Sequence, residues 1–296
     1  MRTDDAPDGR ARFDRPLVND PAEDWELPCS RRQGASYFSG IASYPRTPGR
    51  WEEIPAAALA SLKEYCAIEE LGQVFVIPWA VRSVDVSPRR FITPNSVLAI
   101  GSRAVGLWTD KPEPGMKAGI LLEDLAAIED INILLYGRLG FFSKDGRVTI
   151  RYNTVARRSL EPALLALRKR LAGPAEPVPR EAEAASPLPF KWNYFAQSML
   201  VRLREDAAIA YRFAEAPGAS RRDLGQAHLL ALNPQELVYL KDPYCSRYGA
   251  DAFIVPRSAI SEVRIREKLL DITSNEARFR LAMMPELRDA AVRWLS

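Results

Sequence analysis

From residue 73 to residue 153 the apolar side chains come in short runs, Gln73–Val84, Val97–Thr109 and Gly119–Leu122, each bounded by Pro, Gly or Ser. Runs of Val, Ile, Leu and aromatics closed by turn formers predict β-strands. In FFSKDGRVTIRYN the side chains Val148, Ile150 and Tyr152 alternate with Thr149, Arg151 and Asn153. A period of two puts one face in a core and the other in water, and Asp145-Gly146 is the residue pair of a two-residue hairpin turn. Helical spacing brackets these strands. The stretch from about Pro55 to Glu70 is rich in Ala, Leu, Lys and Glu, and Leu160, Leu164, Leu167 and Leu171 form one apolar stripe. Ser159 is placed to cap that second helix, and Arg168-Lys169-Arg170 fall in its last turn, against the negative end of the dipole.

The same order then recurs. VLAIGSRAVGLWTDKP (97–112) lies over HLLALNPQELVYLKDP (228–243) at an offset of 131, matching Leu98 with Leu229, Leu107 with Val238 and Trp108 with Tyr239. At an offset of 132, AGILLEDLAAIEDI (118–131) lies over ADAFIVPRSAISEV (250–263), pairing Leu122 with Ile254 and Ile128 with Ile260. Arg278–Ala282 alternates like the strand after Asp145-Gly146, and Pro285–Leu295 carries Leu287, Ala291, Trp294 and Leu295 on one helical side. The pattern of apolar positions is shared and the residues are not. It predicts a duplicated, strand-rich unit.

Composition marks the unit borders. Residues 1–50 hold 8 Arg and 8 acidic residues among Pro, Gly and Ser, with too little apolar surface for a core. They predict a mostly flexible tail, in which Tyr37–Ile41 is the piece able to dock. Residues 172–189, AGPAEPVPREAEAASPLP, contain five Pro and predict a semi-extended linker. The expected units are therefore 51–171, with a preceding helix, and 190–296. Their net charges are +2 (16 basic, 14 acidic) and +3 (16 basic, 13 acidic), so neither is a basic nucleic-acid module. The longest apolar run, Val74 to Val81, is broken by Pro78 and falls short of the roughly 18–20 residues that cross a bilayer. The opening MRTDDAPDGRAR lacks the apolar region of a secretory signal, so cytoplasm is the expected location. Cys29, Cys66 and Cys245 are far apart and odd in number, which predicts reduced thiols.

Each unit reads as strands, a hairpin and one closing amphipathic helix. LLALNPQELVYLKD, with two strands meeting at Asn233-Pro234, and YGADAFIVPRSAISEV, with an apolar strand leading through Pro256, resemble bacterial pleckstrin-homology-like (PH-like) domains. RFITPNSVLAIGSRAVGLWTD and GILLEDLAAIEDI are similar. The resemblance covers about residues 70–171 and 195–296. It implies a mainly β (α+β) fold of two bent, partly open antiparallel β-barrels, each closed by a C-terminal α-helix. A fold by itself assigns no function.

Candidate chemistry is sparse. His228 is the only histidine, sits at the start of an apolar strand and reads as structural. No His or Cys spacing suits a metal, so neither metal nor other cofactor is expected. Gly101-x4-Gly106 is followed by Leu107 where a phosphate loop needs Lys. In Glu69-Glu70, Glu123-Asp124 and Glu129-Asp130 neighbouring side chains diverge, so the pairs read as solvated turns and faces. PFKWNYFAQSML (189–200) reads as packing. The remaining candidates are Arg89-Arg90 and Arg221-Arg222, separated by 132 residues and each expected between the first two strands of its unit. In eukaryotic domains of this superfold that loop commonly carries the cations that bind phosphorylated headgroups, and Arg grips phosphate through paired hydrogen bonds. These observations lead to a non-catalytic binding or scaffolding protein with a protein or peptide partner. The alternatives are a peripheral protein held at the anionic inner membrane surface by Arg89, Arg90, Arg221 and Arg222, and an enzyme with a cleft between the units.

Overall fold

The computed structural model describes residues 45–78, 80–83, 90–133, 136–154, 157–178, 210–215, 227–241, 249–266 and 269–295. The chain is mainly β, in several antiparallel sheets, and among the described residues none closes into a barrel. Helix α1 (Ala56–Leu62) leads into β1 (Val74–Ile77), a separate hairpin β2 (Ala80–Ser83) and β3 (Arg90–Thr93), then β4 (Ser96–Ile100), β5 (Ala104–Thr109) and β6 (Gly119–Leu121). Strands β1, β4, β5 and β6 form one sheet in that order. Strands β7 (Ala127–Ile133), β8 (Tyr136–Ser143) and β9 (Gly146–Asn153) follow, closed by α2 (Arg157–Leu171). After the middle of the chain come β10 (Ala210–Glu215), β11 (Ala227–Leu232), β12 (Glu236–Lys241) and β13 (Ala250–Pro256). A three-stranded sheet of β14 (Ile260–Arg266), β15 (Leu269–Ser274) and β16 (Ala277–Ala282) precedes the last helix, α3 (Pro285–Leu295).

A single seven-stranded sheet spans both halves of the sequence, in the order β10-β11-β12-β13-β7-β8-β9. The junction is antiparallel, with Asp251 opposite Ile131 and Phe253 opposite Glu129. Because side chains alternate along a strand, this sheet feeds two cores. Leu139, Ile150, Leu229, Val238, Leu240 and Ile254 belong to the core shared with the first sheet and α2. Leu230, Leu237, Tyr239, Phe253 and Val255 belong to the core shared with β15, β16 and α3. Strands β12 and β13 are consequently buried along their whole length. Phe142, Phe253 and Phe279 pack edge to face in the second core, with centroids 5.2–6.3 Å apart.

Several local expectations shift. The Pro55–Glu70 helix is only α1, followed by a 3₁₀ turn at Ile68–Gln73. Between them Tyr65 lies over the cross-strand pair Gly106 and Gly119, where any Cβ would collide with it. The run Val97–Thr109 is two strands folded at Gly101. The turn after β8 uses Lys144 and Asp145, with Gly146 already paired to Ser143 as the first residue of β9. Ser159 lies inside α2, which starts at Arg157. Glu129 and Asp130 are not solvated. They point to opposite faces of the sheet, as neighbours on a strand do, and both are buried.

Candidate functional site

Of the four predicted cations, Arg89, Arg221 and Arg222 lie outside the described residues. Arg90 opens β3, its backbone opposite Ser83, in a hairpin separate from the first sheet. The segment 189–200 is likewise outside the described residues.

Charged groups do converge on the long sheet. On the face toward the second core, Arg138 donates to Glu129 from Nε at 3.2 Å and from a terminal nitrogen at 2.9 Å. Lys241 and Asp251 pair at 3.2 Å on adjacent strands. Burial pushes the Glu129 carboxyl up, to about 7, Arg138 opposes the shift and Asp251 adds to it. His228 Nδ1 lies 2.6 Å from the Tyr239 oxygen, while the Tyr239 hydroxyl donates to the Ala282 carbonyl at 2.8 Å. With that proton committed, Nδ1–H of His228 is the donor to Tyr239. On the opposite face Arg157 holds Asp130 through two 2.7 Å contacts and reaches the Tyr152 hydroxyl at 3.3 Å. The Tyr152 hydroxyl donates to Asn132 at 3.2 Å, and burial drives its pKa up. Each carboxylate is answered by a donor from a neighbouring element, so the network ties β7, β8, β9 and α2 together.

The halves are also clamped at α2 and just after it. Arg168 makes a two-pronged bond to Glu236 of β12, at 3.0 and 2.7 Å. Arg257 reaches the carbonyls of Glu176, Pro177 and Asn233, and pairs with the Glu176 carboxylate at 2.7 Å. Burial lowers the Arg257 pKa and Glu176 opposes the change. The first residues of the predicted linker are therefore docked on the β11–β12 turn. Beside them is an open cleft of about 320 Å³, lined by Leu122, Leu171, Arg170, Ser258 and Asn275 among others. Its polar groups are largely engaged. Arg170 donates to the Gly101 carbonyl at 2.8 Å, and Asn275 donates to the carbonyls of Glu123 and Leu125.

The remaining feature is an edge. Among the described residues β14 pairs on one side only, with β15. Ile265, opposite the fully buried Leu270, is 41% exposed, one of two large apolar side chains so placed among the described residues. Val263 packs on the second core and α3 lies against β14. The outer face alternates with these positions. Arg264 pairs with Glu262, and Asp271 is shared by Arg266 at 3.4 Å and Arg280 at 3.1 Å. Sequence reasoning singled out Ile260 and Val263 and passed over Ile265, Arg264 and Arg266. The alternation V-R-I-R in 263–266 was the available signal.

In comparisons with known proteins, no family model matches the chain, and no curated protein or solved structure matches it.

Proposed function

We propose that this is a non-catalytic binding protein of two PH-like units that takes an extended segment of a protein or peptide partner along the free edge of β14, beside α3. The observation that carries this reading is the pairing of β7 with β13. β7 and β14 stand at similar points in the element order: β7 follows the four strands of the first sheet, with the β2–β3 hairpin inserted among them, and β14 follows β10–β13; a 3₁₀ turn precedes each, and each opens a three-stranded run that ends in a helix. At β7 the edge is occupied by a strand from the other half of the chain. At β14 the same kind of edge is unpaired among the described residues, with Ile265 uncovered. An added strand supplies backbone hydrogen bonds that need no sequence motif, with alternate side chains setting specificity.

The test is selection of short random peptides on the full chain, with the site of the selected peptides mapped by amide hydrogen exchange. Protection concentrated on β14, lost in Ile265→Lys, supports the reading. Selected peptides that leave β14 exchange unchanged sink it.

A further inference from the structure

We infer that the strand accepted by β14 is acidic on its outer positions and apolar on its inner ones, so that the partner is an acidic, alternating peptide segment. The inference rests on the strand-addition reading and adds its ligand chemistry. The first argument is charge. The outward face of β14–β16 carries Arg264, Arg266, Arg278 and Arg280 against Glu262 and Asp271, with the Arg264 and Arg266 side chains 64% and 62% exposed. Asp271 is already divided between two guanidiniums. Cross-strand neighbours on one face interact directly, and opposite charges favour pairing. A strand laid antiparallel on β14 sets its outer side chains opposite Arg264 and Arg266, and its inner ones opposite Val263 and Ile265.

The second argument is the strand already bound inside the molecule. β13, which fills the corresponding edge of β7, places Asp251 on the same face of the sheet as Arg138. Its inner positions are Ala250, Ala252 and Ile254, all in the first core. Phe253 and Val255 share the face of Asp251, so the strand accepted at this kind of edge alternates between two apolar-lined faces and carries a single acid on the one away from the first core. The charges on β14 also guard it. Arg264 and Arg266 repel a basic strand, and the irregularity between Ile260 and Glu262 breaks the flat template that unselective pairing needs.

The experiment uses the full chain and three fluorescent peptides of alternating Glu-Val, Thr-Val and Lys-Val, with anisotropy read at low and high salt. The Glu-Val peptide is expected to bind about tenfold more tightly than Thr-Val, the sum of two cross-strand charge pairs. That margin shrinks in high salt. In Arg264→Glu, Arg266→Glu the preference should swing to Lys-Val, an outcome that a misfolded variant cannot produce. Equal binding of Glu-Val and Thr-Val, still abolished by Ile265→Lys, overturns the acidic partner and leaves strand addition standing. Failure of all three peptides to bind overturns both. Self-association that is lost in Ile265→Lys and not competed by Glu-Val identifies a second copy as the occupant and also overturns the inference.

Discussion

Strands β7 and β14 hold matching positions in the two halves, and their charged residues behave in opposite ways. In β7 the neighbours Glu129 and Asp130 are 3% and 4% exposed, and each is held by an arginine. In β14 Glu262, Arg264 and Arg266 stand in solvent. The difference follows from what lies alongside. Strand β13 closes the flank of β7 and a core covers each face of the sheet, so its charges are buried and require partners. Nothing described closes the flank of β14. A charged residue in a strand is therefore buried and held by a partner, or left at the surface, according to what packs around it.

That contrast is sharpest in stability. Removing Arg138, as Arg138→Ala, leaves Glu129 buried without its donor and is expected to cost about 3–5 kcal/mol in urea unfolding. A change within about 0.5 kcal/mol would place that pair in the same class as the exposed ones and break the comparison. Gly137 adjoins the same region, opposite Tyr152 in β9, and any Cβ there would collide with the buried ring. Gly137→Ala should cost about 1–3 kcal/mol through overpacking, measured the same way.

The pH dependence separates the strands next. Burial raises the folded-state pKa of Glu129 above its usual 4.5. Its contribution to stability is full below pH 4.5 and is lost as pH rises through about 7. The urea midpoint of the wild type should therefore fall relative to that of Glu129→Gln between those limits. Parallel profiles would show that Glu129 titrates normally. The smallest effect belongs to β14. Arg264→Ala and Arg266→Ala should each alter unfolding free energy by no more than about 0.5 kcal/mol, while weakening acidic peptides. A larger loss of stability would mean that these side chains hold the fold together.

Local patterns in the sequence carried the strands a long way. Alternation in Val148, Ile150 and Tyr152 located β9, and the leucine stripe located α2 to within a few residues of its start. The offsets of 131 and 132 between apolar positions lay β4 over β11, β5 over β12 and β7 over β14. The buried state of Glu129 and Asp130 was not visible, because two adjacent acids look solvated until a neighbouring strand covers them. The same reason hid the role of Arg168, which satisfies the helix dipole rule in the sequence and a buried Glu236 in space.

What the sequence by itself determined is most of the elements: which stretches are rich in strand, where α2 and α3 fall, and which side of each is apolar. These follow from short-range periodicity, and any fold of this chain must respect them. What only the tertiary structure decided is which edges are filled. The pairing of β13 with β7 joins residues more than 110 positions apart and turns two halves into one sheet. Backbone hydrogen bonding at an edge is the same for every residue type except proline, so it leaves little mark on composition or spacing.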